Sequence, residues 1–205
     1  MASSLQEPVT FTDRMRVRFK GVLDAFGGFF NRLGIHPNTM TLLGLIGNTL
    51  AAIWLAQGRL LEGGLLVVFS GAFDALDGTM ARLRGHPTPW GAFVDSVTDR
   101  YSELVIFFGL LMFYTSRGDR MGVFLVYLAA AGSVLVSYVR ARAASLGWEV
   151  KVGLLTRFER YLVLAPTLVL GIPLVGVGIV AVGANLTALQ RIWWTRRQAL
   201  AAKEW

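Results

Sequence analysis

From about Thr39 to Ala56 the chain carries no charged residue, and apolar stretches of similar length recur almost to its end. A helix needs about 20 predominantly apolar residues to cross the hydrocarbon core of a bilayer. Stretches near that length lie at Thr39–Ala56, Leu60–Leu83, Trp90–Tyr114, Met121–Ala143, Leu154–Ile172 and Pro173–Trp194, separated by Gly, Pro or charged breaks. The last two form one run too long for a single crossing, and Gly171, Ile172 and Pro173 divide it. The pattern predicts an all-α integral membrane protein with six transmembrane helices. Apolar residues make up 54% of the 205 and charged ones 16%. The mean hydropathy is +0.54, more apolar than the core of a water-soluble domain this size requires.

The expected division is an amino-terminal segment over 1–36, a six-helix transmembrane domain over 37–195 and a basic tail over 196–205. No internal repeat, low-complexity tract or linker interrupts it. The first residues carry Glu7 and Pro8 without a continuous apolar stretch behind a basic start, so no cleavable signal peptide is expected. Phe11, Met15, Phe19, Val22, Phe26 and Phe29 then recur at three- and four-residue intervals, among Arg14, Arg16, Arg18 and Lys20. This is an amphipathic helix, lying in the membrane interface or packed on the body of the protein.

The absence of cysteine excludes a disulfide scaffold, a thiolate zinc site, an iron–sulfur cluster and a cysteine nucleophile. A net charge of +7 in a chain this apolar points to cytoplasmic loops and anionic lipid or phosphate, not to nucleic acid. With six crossings, Arg82, Arg84, the segment from Arg140 to Arg160, and Arg191, Arg196, Arg197 and Lys203 fall on one side. Only Arg59, Arg117 and Arg120 fall on the other, which places both termini in the cytoplasm.

Four carboxylates interrupt the apolar pattern. Asp74 and Asp77 stand three apart at the end of the second stretch, and Asp95 and Asp99 four apart near the start of the third, so each pair shares a helix face. An intramembrane carboxylate costs roughly 2.5–3.5 kcal/mol on insertion scales, and like charges this close cannot all stay ionised without compensation. Protonation and pairing with Arg82 or Arg100 are two remedies. The third is a divalent cation, favoured here because every donor is a hard oxygen of the kind Mg²⁺ or Mn²⁺ takes, as one ion or two. Gly78 and Gly91 would allow a ligand or a helix to come close, and Arg82 supplies a fork suited to phosphate.

Residues 74–99 read D-A-L-D-G-T-M-A-R, eight residues, G-A-F-V-D-S-V-T-D. This resembles the D-x2-D-G-x2-A-R-x8-G-x3-D-x3-D signature of the CDP-alcohol phosphotransferase family. The resemblance implies a membrane enzyme that transfers a phosphatidyl group from CDP-diacylglycerol to a small alcohol and releases CMP. Asp74, Asp77, Asp95 and Asp99 would hold metal, with Asp95 and Asp99 nearest the chemistry and Asp99 a ligand, the general base, or both. Gly78, Ala81, Arg82 and Gly91 would line the CDP-lipid site. Pro37, Asn38 and Thr41 resemble a family segment bordering the nucleotide, and read equally well as a helix start capped by Asn38. The family also implies a homodimer in the cell membrane, its active site facing the cytoplasm.

Ser137 and Arg140 share a face near the end of the fourth stretch, Arg157 and Arg160 open the fifth, and Arg191 lies near the end of the sixth. Ordinary cytoplasmic charge accounts for any one of them, whereas their number suggests an anionic acceptor. S-Y-V-R-A-R-A at 137–143 and T-R-F-E-R at 156–160 resemble the phosphatidylinositol-phosphate and archaetidylinositol-phosphate synthase branch. That implies inositol phosphate as acceptor, with Ser137, Arg140, Arg160 and Arg191 as phosphate ligands. Bacterial members more often carry Lys in place of Arg140 and E-R-P-E-R in place of T-R-F-E-R, which keeps glycerol 3-phosphate as the runner-up. Rival classes are an ion or proton transporter, which usually shows the inverted repeats this chain lacks, and a lipid-binding scaffold, which has no use for four acids. His36 and His86 are too isolated for a metal pair and read as loop or cap residues. The glycines near Gly176 lack the strand that a dinucleotide fingerprint needs. Trp193 and Trp194 read as an interfacial anchor.

Overall fold

A computed structural model describes residues 11–85 and 88–202, with side chains from 18 onward. His86, Lys203, the residues bearing on a signal peptide, and the side chains of Phe11, Arg14, Met15 and Arg16 lie outside it. The described residues form α1 (Phe11–Arg32), α2 (Pro37–Ala56), α3 (Leu60–Leu83), α4 (Pro89–Ser116), α5 (Arg120–Ser145), α6 (Arg157–Val169) and α7 (Pro173–Ala201), with no strand among them. Of these, α2, α5 and α7 are long and apolar enough to cross a membrane.

Glycines and prolines set the helix ends. Gly85 and Gly171 adopt φ of +74° and +71° just beyond α3 and α6, a conformation open to glycine and costly for most other residues. Prolines open α2, α4 and α7, where their missing N–H leaves no helical bond unmade. With Pro37 at the first helical position, the cap of α2 falls on His36, whose Nδ1 accepts from Asn38 N at 3.2 Å. This corrects the expectation that Asn38 caps the helix and makes His36 the cap residue.

Two boundaries differ from the apolar pattern. α6 spans 13 residues, about 20 Å of helix against a hydrocarbon core of about 30 Å. Residues before Arg157 stay out of the helix, with a bend at Leu154 and Leu155, because Leu155 N donates to Thr187 Oγ1 at 2.9 Å and Val152 O accepts from Arg191 Nε at 2.9 Å. α7 runs on through Arg196 and Arg197 to Ala201, past the expected boundary at 195.

Small residues bring the helices together, as they do where lipid tails remove the hydrophobic drive between helices. At Gly63 on α3, an added Cβ would lie 2.8 Å from the Leu55 side chain of α2; at Gly64, 2.7 Å from the Val169 backbone of α6. At Gly109 on α4 it would lie 2.8 Å from Ala52 Cα on α2. α5 packs on α7, where Asn185 Nδ2 donates to Leu128 O at 3.0 Å. The core they enclose includes Leu55, Val67, Phe107, Leu110, Leu168 and Val177. Leu42, Ile46, Leu50, Phe69, Phe108 and Val182 face outward, an apolar exterior suited to lipid.

α1 packs on the body of the protein, one of the two expected placements, and keeps an apolar face outward. Gly27 packs against Thr79 and Leu83 of α3, and Asn31 Nδ2 donates to Met80 O at 3.1 Å. Phe19, Val22, Phe26, Phe29 and Leu33 remain exposed. Arg84, reaching Asn31 Oδ1 at 2.7 Å and Ile35 O at 2.6 Å, ties α1 to the end of α3.

Candidate active site

α3 and α4 both pack on α2 rather than chiefly on each other. Asp74 and Asp77 lie in the last three turns of α3, and Asp95 and Asp99 in the first three of α4. One oxygen each from Asp74, Asp95 and Asp99 lies within 4.8 Å of the others. Asp77 stands outside this set; its Oδ2 accepts the Thr41 hydroxyl at 2.6 Å, which ties α3 to the start of α2.

Arg157, in the first turn of α6, answers the trio. Its Nη1 lies 2.6 Å from Asp74 Oδ2 and 2.7 Å from Asp99 Oδ2. Arg100 Nη1 lies 3.4 Å from the same Asp99 oxygen and donates to Ser96 O at 2.6 Å. Asp99 is 7% exposed, and its Oδ1 is buried with no protein hydrogen-bond partner among the described residues. Burying several carboxylates against so few cations is unfavourable unless further positive charge is supplied. Hard oxygens within reach of one another therefore fit Mg²⁺ or Mn²⁺, and Asp99 also offers an unpartnered buried acceptor.

The residues predicted to meet the CDP-lipid gather at the same end. At Gly91 an added Cβ would lie 3.1 Å from Thr88 Oγ1 and 3.7 Å from Asn38 Oδ1, so α2 and α4 begin side by side. At Gly78 it would meet only Arg82 Nη1, at 3.3 Å. Among the described residues Gly78 therefore packs against no neighbouring helix, and the space it leaves suits a ligand. Ala81 is half-buried, and Arg82 is exposed with Nη2 donating to Thr79 Oγ1 at 2.9 Å.

The predicted acceptor residues divide. Arg160, 2% exposed, gives Glu103 a two-pronged bond at 2.6 and 2.9 Å and donates to Leu155 O at 3.2 Å. Arg191, 3% exposed, spends Nη1 on Val136 O at 2.7 Å as well as Nε on Val152 O, joining α5, α7 and the segment before α6. Ser137 is half-buried and Arg140 exposed. Asp99, Glu103, Arg157 and Arg160 line one cavity of about 30 Å³ with Asn48, Ser102 and the core side chains of Phe107 and Val180.

Sequence reasoning missed Glu103 and Tyr161. Glu103 follows Asp99 by four residues on the same face of α4, a spacing that could have marked it. Nothing in the apolar text of α6 marks Tyr161, whose hydroxyl donates to Val67 O and accepts from Gly71 N at 3.1 Å, bridging a turn of α3.

The model of the CDP-alcohol phosphatidyltransferase family matches residues 34–195. The phosphatidylinositol phosphate synthase of Streptomyces avermitilis is 35% identical over 203 residues, covering 91% of this chain and 83% of that protein. The archaetidylinositol phosphate synthase of Pyrococcus horikoshii is 33% identical over 188 residues, covering 90% and 96%. The crystal structure of Mycobacterium tuberculosis phosphatidylinositol phosphate synthase with CDP-DAG bound superposes with a TM-score of 0.78 at 29% identity, covering 85% of this chain and 93% of that one. The same enzyme in complex with manganese and citrate gives 0.77 at 29%, covering 84% and 88%.

Proposed function

The chain belongs to the CDP-alcohol phosphatidyltransferase family, and on that premise we propose that it transfers a phosphatidyl group from CDP-diacylglycerol to a hydroxyl of inositol phosphate, releasing CMP. The observation that carries this is the convergence of Asp74, Asp95 and Asp99 from two helices at the cleft where Arg157 enters from a third.

Asp74, Asp95 and Asp99 would hold Mg²⁺ or Mn²⁺, with Asp77, oriented by Thr41, as the fourth carboxylate. Held there, the metal would supply positive charge to offset the pyrophosphate and the leaving CMP. Gly78 and Gly91 admit the cytidine diphosphate, with Asn38, Thr41, Ala81 and Arg82 around it. The acceptor oxygen attacks the phosphorus bearing diacylglycerol, and the bond from that phosphorus to CMP breaks. Asp99 takes the hydroxyl proton through its buried, otherwise unpartnered oxygen and passes it to water. Holding both substrates at one cleft makes the attack effectively intramolecular.

Arg140, Arg157 and Ser137 face the acceptor phosphate in this reading, while Arg160 and Arg191 shape the pocket through Glu103 and the backbone. Six crossings belong to the same proposal: α3 and α4, at 24 and 28 residues, are long enough but carry the site's acids, while α6, at 13 residues, is too short alone and would need the non-helical segment before it to complete its crossing. So do a cytoplasmic active site with both termini on that side, supported by the arginines at the acid-bearing end, and a homodimer.

The purified chain, given CDP-diacylglycerol and Mn²⁺, should release CMP with inositol phosphate and yield the matching phospholipid. Release with glycerol 3-phosphate but not with inositol phosphate would overturn the acceptor. Thr156 and Phe158, which break the branch's usual text, favour that second reading.

A further inference from the structure

Arg157 differs from the other guanidiniums around the acids. Arg160 is chelated by Glu103 in the core, and Arg100 is tied to Ser96 O on its own helix. Arg157 places a single nitrogen 2.6 and 2.7 Å from carboxylates on two different helices, and its side chain is 35% exposed. It can therefore swing away without unpacking the core.

A nitrogen in contact with both oxygens occupies the ground that a cation shared by Asp74 and Asp99 would need. A divalent ion approaches oxygen to about 2.0–2.1 Å for Mg²⁺, and two positive charges at such distances repel strongly. The two occupants exclude one another. We infer that Arg157 is a resident counterion. It keeps Asp74 and Asp99 together before the metal enters and is displaced by the metal. The released guanidinium is then free to meet the phosphate of the acceptor. One side chain thereby couples metal entry to acceptor binding, so that the acceptor site is completed only after the metal is in place. The inference rests on the proposed reading of the acid trio as the metal site.

The test is Mn²⁺ affinity of the purified full chain, followed by the paramagnetic signal of the free ion. Arg157→Gln should bind Mn²⁺ about tenfold more tightly than wild type, since it removes a unit charge from contact distance. Arg100→Gln removes the same charge nearby without clearing the bridging position, and should change affinity by less than about threefold. Unchanged affinity in Arg157→Gln, or equal shifts in the two variants, overturns the displacement. A second measurement needs no variant. Phenylglyoxal labelling of Arg157 in wild type, read by mass spectrometry, should accelerate when Mn²⁺ replaces EDTA; an unchanged rate overturns the inference even where Arg157→Gln does not fold. Transfer to glycerol 3-phosphate instead of inositol phosphate would defeat the acceptor reading and leave both results standing.

Discussion

Replacing Glu103 with leucine strands the Arg160 guanidinium where only 2% of the residue is exposed. The pair is made by bonds of 2.6 and 2.9 Å, and the Glu103 side chain is itself only 16% exposed, so solvent screening offers little relief. Removing one partner of a buried pair costs roughly 3–5 kcal/mol, because the other charge stays buried without compensation. Arg160→Met should cost a similar amount by stranding Glu103. Replacing both by apolar residues is often neutral, so the double variant should return to within about 1 kcal/mol of wild type. The coupling energy of the cycle is then at least about 5 kcal/mol, roughly several thousandfold in the unfolding equilibrium. Unfolding in mixed detergent micelles, followed by tryptophan fluorescence, measures it. CMP release by the same four proteins separates two roles for Arg160. If the guanidinium shapes the acceptor pocket, the double variant regains stability but keeps a raised KM for inositol phosphate. Single variants that each cost under about 1 kcal/mol would refute the buried-pair reasoning, and a double variant with wild-type KM would refute the role at the pocket.

Asp95→Asn should abolish metal-dependent CMP release while leaving the melting temperature near wild type; full activity would sink the acid trio as the metal site. Gly109→Ala puts a Cβ 2.8 Å from Ala52 Cα and 2.9 Å from its carbonyl carbon, backbone atoms that cannot yield as a side-chain tip can. A cost of about 1–3 kcal/mol is expected, visible as a lowered thermal midpoint. Arg140→Ala should raise KM for the phosphorylated acceptor much more than for the CDP-lipid; equal effects would remove Arg140 from the acceptor side.

Helix positions were legible because their causes are local. Pro37, Pro89 and Pro173 open helices, and glycines at 85 and 171 take the left-handed turn that stops them. The aspartates were legible because a carboxylate in an apolar run demands an explanation, and their spacing puts each pair on one face. The arginines were not. Positive charge at the end of an apolar stretch reads the same whether it faces water, clamps a backbone as Arg191 does, or answers an acid as Arg157 does. The partners that decide between these lie 83 positions away for Arg157 and Asp74, and 57 for Arg160 and Glu103. The length of α6 was hidden for a related reason. Hydropathy counts Leu154 and Leu155 as membrane residues, while bonds from α7 hold the chain there in a bend outside the helix.

The cleft itself follows from α2. Because α3 and α4 lean on that helix rather than mainly on each other, their acids face across a gap instead of being pressed together by a helix–helix contact. The gap is set both beside the carboxylates and far from them. On the α3 side, Thr41 fixes Asp77, and Gly63 lets Leu55 approach. On the α4 side the close contact is Gly109 against Ala52, ten residues and about 15 Å along the helix from Asp99. A helix is stiff over that distance, so pushing α4 off α2 at Gly109 tilts Asp99 relative to Asp74. The glycines that let these helices meet therefore govern more than stability. They set the separation of the oxygens proposed to hold the metal, and a packing defect at Gly109 should weaken Mn²⁺ binding even though none of those acids has changed.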